Sequence, residues 1–241
     1  MIQLEHVSKV YNGMHKAVDD CSFSVEDGKI TGFIGPNGAG KTTTLKMITG
    51  ILEATEGSIT LDGVDIKRNG VEAKKKIGFV SDNPDSFLRL KGLEYLNFMA
   101  DIYDVPTEGR SEKIKEMAER FEMADALGDK ILSYSHGMRQ KIMVMGALLH
   151  SPSLWILDEP LTGLDPKAAF ELKDMMREHA DSGCAVLFST HVLEVAEKLC
   201  DKVVIINKGR IVFQGTLDQL RHGYPEGTSL EEIFLAVTEH A

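Results

Sequence analysis

The stretch Gly35-Pro36-Asn37-Gly38-Ala39-Gly40-Lys41-Thr42-Thr43 decides the reading of this chain, because it fits the pattern G-x-x-x-x-G-K-[ST] and its flanks fit as well. Before it, Ile30-Thr31-Gly32-Phe33-Ile34 reads as a short buried strand. After it, Thr43-Thr44-Leu45-Lys46-Met47-Ile48-Thr49 reads as the first turns of a helix. Strand, glycine-rich loop and helix, in that order, are the setting in which this pattern holds phosphate. The glycines let the backbone curl until successive N–H groups point inward, and the helix N-terminus adds about half a positive charge. The stretch therefore predicts binding of a nucleoside triphosphate through residues 35–43. Lys41 is expected to reach the β- and γ-phosphates, and the Thr42 hydroxyl to hold Mg²⁺.

Composition narrows what else the chain does. Its 241 residues suffice for a sizeable core, and 43% hydrophobic with 27% charged residues is ordinary for a globular protein. A formal net charge of -10 repels a polyanion and argues against broad nucleic-acid binding, while a backbone phosphate nest works locally regardless of net charge. Cys21, Cys184 and Cys200 form no C-x-x-C pair and read as reduced core residues. Met1-Ile2-Gln3-Leu4-Glu5-His6 lacks the regions of a signal peptide, and no apolar run approaches the ~18 residues of a membrane span.

Outward from the glycine loop the hydrophobic period changes twice. Leu4–Tyr11 and Ala17–Val25 alternate like antiparallel strands, with a turn at Asp27-Gly28, and Gly57–Gly63 adds a strand to the same sheet. Ile77-Gly78-Phe79-Val80 is a short strand leading into Ser81-Asp82-Asn83. From Phe87 to His150 the period is helical: Leu93, Leu96, Asn97, Ala100 and Tyr103 share one face, and Ile114, Met117, Ala118, Phe121 and Met123 mark a second helix. A third helix runs from about Gly137 to Leu149. The α/β pattern then returns with buried strands at Leu154–Asp158 and Ala185–Ser189. Between them Asp165-Pro166 opens a helix as N-cap and first-turn proline. Val192–Cys200 reads as a helix, and Val203–Ile206 and Arg210–Phe213 as a hairpin. The expected division is an α/β core over 1–81 and 151–225 with an N-terminal antiparallel sheet, a helical lobe over 82–150, and a C-terminal helix over 226–241.

Two further strand ends carry chemistry. Leu154 to Glu159 leaves two carboxylates just past a buried strand, where ligands of an open α/β sheet bind. Asp158 is expected to hold Mg²⁺ and Glu159 to orient or deprotonate a water attacking the γ-phosphate. Ser189-Thr190-His191 ends another strand, placing His191 to hydrogen-bond the γ-phosphate. Ser135-His136-Gly137 opens a helix in a way that suits an anion.

Taken together and in this order, these elements resemble the nucleotide-binding subunit of an ATP-binding cassette (ABC) transporter over nearly the whole chain. The resemblance implies a P-loop NTPase, RecA-like α/β fold. Tyr11 sits where that family stacks an aromatic ring on adenine. Gly35–Thr43 is similar to its Walker A loop, Leu154–Glu159 to its Walker B strand with the catalytic glutamate, and Leu161–Asp165 to its D-loop. His191 corresponds to its switch histidine. Tyr134-Ser135-His136-Gly137-Met138 corresponds to the signature loop, usually Leu-Ser-Gly-Gly-Gln, and keeps its serine and second glycine. Met138 is similar to the drug, antibiotic and polysaccharide exporters of the ABC-2 type, whose membrane partner is a separate chain. Asp82 stands where the family usually has a glutamine, so its carboxylate is expected to reach Mg²⁺ or its water, or Asn83 does so if the register slips by one.

The resemblance further implies a head-to-tail dimer with itself or a paralogous cassette. ATP then lies between one chain's glycine loop and the other's Ser135 and Gly137. It also implies a transmembrane permease as separate partner, meeting Phe87-Leu88-Arg89-Leu90, and a peripheral place on the cytoplasmic face of the membrane. Two alternatives share the glycine loop: a soluble ABC-type ATPase acting on nucleic acid or the ribosome, and a P-loop kinase of a small molecule. The first carries coiled coils, a zinc-binding apex or tandem cassettes, and the second an acceptor pocket; the Asp158-Glu159 pair suits water instead.

Overall fold

The computed structural model describes residues 1–225 and 227–239; Glu226, His240 and Ala241, the ends of the expected C-terminal segment, lie outside the described residues. The chain opens with an antiparallel hairpin, β1 (Ile2–Tyr11) and β2 (His15–Val25), paired from Ile2↔Val25 to Tyr11↔His15. Alternation of buried and exposed positions in β1 slips at His6, whose φ of +51° marks a bulge; its N–H donates to Ser22 Oγ at 2.9 Å. The slip lets Val7 face inward and the strand turn around the core.

Then come β3 (Ile30–Ile34), the glycine loop and α1 (Lys41–Ile48), followed by β4 (Glu56–Leu61), β5 (Val64–Asp65), α2 (Gly70–Lys75) and β6 (Ile77–Val80). The helical stretch holds α3 (Gly92–Ile102), α4 (Arg110–Arg120) and α5 (His136–Leu148). The remainder is β7 (Leu154–Asp158), α6 (Pro166–Asp181), β8 (Ala185–Thr190), α7 (Leu193–Leu199), β9 (Lys202–Asn207), β10 (Arg210–Gly215), α8 (Leu217–Arg221) and α9 (Leu230–Glu239).

Strands β2-β1-β4-β5 form one antiparallel sheet, and β10-β9-β3-β8-β7-β6 the other, parallel except for β10. The central strands β3, β7 and β8 are buried along their whole length, which is why their sequences are unbroken apolar runs rather than alternating ones. One apolar cluster fills the space between the two sheets around Phe23, Phe33 and Leu45. A second lies between the other face of the parallel sheet and the helices around Trp155, Leu96 and Ile142.

One expected face is corrected. Leu96 and Ala100 are buried as expected, but Leu93 is exposed and Tyr95 turns inward in its place. The cause lies on α5: a Cβ at Gly146 would come within 2.6 Å of Tyr95 Oη, so the missing side chain makes room for the tyrosine ring and turns α3 about its axis. Of the cysteines, Cys21 is buried, whereas Cys184 and Cys200 are only half-buried; all three are free thiols.

Strand pairing decides where the chemistry sits. The registers Ile34↔Thr190 and Asp158↔Ser189 bring the C-terminal ends of β3, β8 and β7 side by side. The glycine loop, the Asp158-Glu159 pair and His191 leave these neighbouring ends on the same edge of the sheet.

Candidate active site

The glycine loop is shaped for a ligand on one side and for close packing on the other. Gly38 and Gly40 have φ of +80° and +109°, left-handed conformations that favour glycine. Gly40 is also the N-cap of α1 and has no side chain to cap it, which leaves the first-turn amides open toward the cleft. On the far side, a Cβ at Gly35 would meet Ile206 O at 2.4 Å.

Lys41 is nearly buried, and its ammonium folds back on the loop, donating to Gly35 O at 2.7 Å and Pro36 O at 3.3 Å. Its third neighbour is Glu159 Oε1 at 3.5 Å. Glu159 stands between two potential proton carriers, since its Oε2 lies 3.0 Å from His191 Nδ1. Its backbone is left-handed, φ +48°, and is held there by donation of its N–H to Ser189 Oγ at 2.9 Å.

Asp158 is fully buried. Its Oδ1 accepts from Ser189 Oγ at 2.5 Å, and the Thr42 hydroxyl lies near the carboxylate. Burial pushes its pKa up; the hydroxyls of Ser189 and Thr42 pull the other way, while the nearby carboxylates of Asp82 and Glu159 add to the rise. Its Oδ2 has no hydrogen-bond partner. A buried, unpaired carboxylate oxygen beside a threonine hydroxyl is a donor set for a hard cation, so the residues present fit Mg²⁺. Among the described residues no group of three or more His, Cys, Asp or Glu forms a metal site, so an ion here would take further oxygens from phosphate and water.

A cleft of about 410 Å³ opens over these groups, lined among others by Tyr11, Asn37, Lys41, Thr43, Asp82 and Glu159. Tyr11 is partly exposed at the cleft mouth, with Lys9 Nζ 5.5 Å from its ring centroid. Asp82 faces the cleft, whereas Asn83 Oδ1 is engaged by Asp85 N–H at 2.9 Å in the following turn. Ser135 and Gly137 are elsewhere and line no part of this cleft. Ser135 caps α5, its Oγ accepting from Met138 N at 3.2 Å. The departure at His136 is accommodated by Gly163: a Cβ there would lie 2.4 Å from His136 Cδ2.

Sequence reasoning missed two features. One is Ser189 as the bridge between the Asp158 carboxylate and the Glu159 amide, for which the only signal is a small hydroxyl residue ending a buried strand. The other is His15, which also lines the cleft and carries no local signal.

A family model described as "ABC transporter" matches residues 18–162. The "Uncharacterized ABC transporter ATP-binding protein YxlF" of Bacillus subtilis is 41% identical over 221 residues, covering 92% of this chain and 72% of that protein. A solved structure described as the ATP binding subunit of an ABC transporter superposes with a TM-score of 0.93 at 32% identity, covering 98% of this chain and 99% of the other. A dimeric bacterial ABC transporter cassette, MJ0796, shares the fold at 24% identity with a TM-score of 0.81, covering 90% and 99%. The phosphate loop, the paired strand-end carboxylates and these likenesses agree, and the chain belongs to the ABC transporter family as an ATP-binding subunit.

Proposed function

We propose that this subunit hydrolyses ATP at an interface between two cassettes and passes the resulting motion to a separate transmembrane permease. The observation that carries the reading is Glu159, held between Lys41 and His191 at the mouth of the glycine-loop cleft. Bound ATP displaces Lys41 from the Gly35 and Pro36 carbonyls, so that its ammonium and the amides of residues 35–43 neutralise the phosphates. Tyr11 stacks on adenine. Thr42, Asp158 and Asp82 would hold Mg²⁺, which would supply charge neutralisation for the phosphates. Glu159 accepts the proton of a water as its oxygen bonds to the γ-phosphorus and the bond to the β-phosphate oxygen breaks, giving ADP and inorganic phosphate. His191 orients Glu159 and donates to the γ-phosphate.

In one chain the cleft that holds Lys41 and Glu159 is open. Ser135 and the α5 N-terminus at Gly137 are the chain's other anion-facing group, and they lie outside that cleft. A second copy, placed head to tail, brings them to the γ-phosphate, and each chain serves the other. ATP is then the adhesive of the dimer, and its hydrolysis releases the two halves.

The permease is a separate chain in this reading; among the described residues no helix is long and apolar enough to cross a membrane. The exposed aromatic pair Phe87 and Phe98, with ring centroids 5.7 Å apart, offers it an apolar contact, while Leu88 packs inward. Peripheral association with the cytoplasmic face follows from that contact, and Met138 favours export.

Glu159→Gln tests the catalytic assignment. The variant is expected to bind ATP normally and to lose roughly 10²- to 10⁴-fold in turnover. Near-normal hydrolysis would remove Glu159 from the role of base.

A further inference from the structure

Behind the glycine loop, on the side away from the cleft, stands the end of β9 and the two-residue turn that joins it to β10. Lys208 and Gly209 have φ of +47° and +82°, and Asn207 pairs with Arg210, the geometry of a tight hairpin turn whose second residue is best served by glycine. This turn grips the phosphate loop directly: Gly209 N–H donates to Ala39 O at 3.0 Å. Its carbonyl accepts from Asp19 N at 2.8 Å and from Cys21 Sγ at 3.1 Å, which fastens the turn to β2. The packing leaves no slack, since a Cβ at Gly40 would sit 2.6 Å from Ala17 O, and one at Gly209 would sit 3.0 Å from the same atom.

Asn207 extends this arrangement to the far end of the chain. It is one of the few buried polar side chains, and its Nδ2 donates to Thr238 O at 2.8 Å, satisfying a carbonyl in the last turn of α9. The helix itself is seated on the same strands through Leu230 and Ile233. A continuous path of hydrogen bonds and short backbone contacts thus runs from α9 through Asn207 and Gly209 to Ala39.

We infer that Asn207 and Gly209 are positioning residues for the nucleotide loop and that α9, acting through Asn207, sets how tightly ATP is held. A loop containing Gly35, Gly38 and Gly40 is entropically expensive to order. A wall that orders it before nucleotide arrives therefore strengthens binding without touching the ligand. The bound phosphates face the opposite side of the loop, so the wall acts on affinity and leaves the chemical step at Glu159 alone. Displacement of α9 by a partner would loosen the loop and release nucleotide. The inference rests on the assignment of residues 35–43 as the nucleotide site.

The test is steady-state ATPase kinetics of the full chain with Asn207→Ala, Asn207→Gln and Asn207→Asp, beside Lys41→Ala as control. For Asn207→Ala the KM for ATP is expected to rise at least about 5-fold with kcat within about twofold of the parent, the size of a modest coupling between sites. Asn207→Gln keeps an amide donor and restores most of the affinity. Asn207→Asp, which turns a carboxylate toward the Thr238 carbonyl, is expected to be worse than alanine. Gly209→Ala reaches the same turn independently, and its KM is expected to rise likewise; this variant carries the test if the Asn207 series is poorly folded. An unchanged KM in folded Asn207→Ala and Gly209→Ala overturns the inference, as does a loss confined to kcat. If Lys41→Ala keeps the parental affinity, it is the nucleotide-site assignment that fails.

Discussion

At the scale of single residues, the site is built around an electrostatic conflict. Asp158 is buried with one oxygen unpaired, beside Thr42 and near the carboxylates of Asp82 and Glu159, a placement that disfavours its charged form. Function keeps what stability would remove. Asp158→Asn is therefore expected to raise the melting temperature of the nucleotide-free protein by about 2–4 °C, the shift that ~1 kcal/mol produces in a chain of this size, while abolishing ATP turnover. A calorimetric scan that finds the variant less stable would contradict this picture. Lys41, Thr42, Asp158 and Glu159 were legible in the sequence because each lies in a local pattern of strand, loop and helix. Ser189 as a bridge was not. Its role depends on the pairing of β7 with β8 in the register Asp158↔Ser189, which joins residues whose own neighbourhoods say nothing of each other.

At the scale of elements, segments with a clear hydrophobic pattern were legible, down to the four residues of β6, and some short ones without a pattern were not. The central strands and α3 to α6 stand out because burial on two faces or on one stripe repeats often enough to show. α2, α8 and β5 are too short for a period, and tertiary contacts alone hold them in place. The misread face of α3 has a similar origin, since Gly146 on another helix decides that Tyr95 rather than Leu93 turns inward. The junction after α5 yields a testable pH dependence. His150 stacks on Tyr103 with ring centroids 3.7 Å apart and its Nε2 contacts Ile77 O at 3.2 Å. Burial, with help from Lys113, pushes its pKa down from 6.5 to about 4, against the opposing pull of the Ile77 carbonyl. As pH falls from 6.5 toward 4 the unfolded chain takes up a proton on His150 that the folded chain refuses, so stability declines over that window. Below about 4 both states are protonated there and this contribution to the slope ends. In His150→Phe the fall in melting temperature between pH 6.5 and pH 4 is expected to be smaller than in the parent; an equal fall would remove His150 from the acid response.

At the scale of the whole molecule, the glycine loop and the Ser135–Gly137 turn do not share a cleft within one chain. The glycine loop closes one side of the cleft, while Ser135 and Gly137 sit at the start of α5 outside it, and Phe87 with Phe98 leaves an apolar patch on the helical side. That division is what a subunit with two kinds of neighbour requires. Phe87→Asp is expected to keep the ATPase activity of the isolated subunit and to lose co-purification with its permease; retained co-purification would place the permease contact elsewhere. The head-to-tail pairing is the claim on which the rest depends, and sedimentation velocity of Glu159→Gln with and without ATP and Mg²⁺ tests it most directly. The account predicts a monomer alone and a species of twice that mass with saturating ATP and Mg²⁺, lost again when Ser135→Ala is added. A variant that binds ATP and still sediments as a monomer would contradict it.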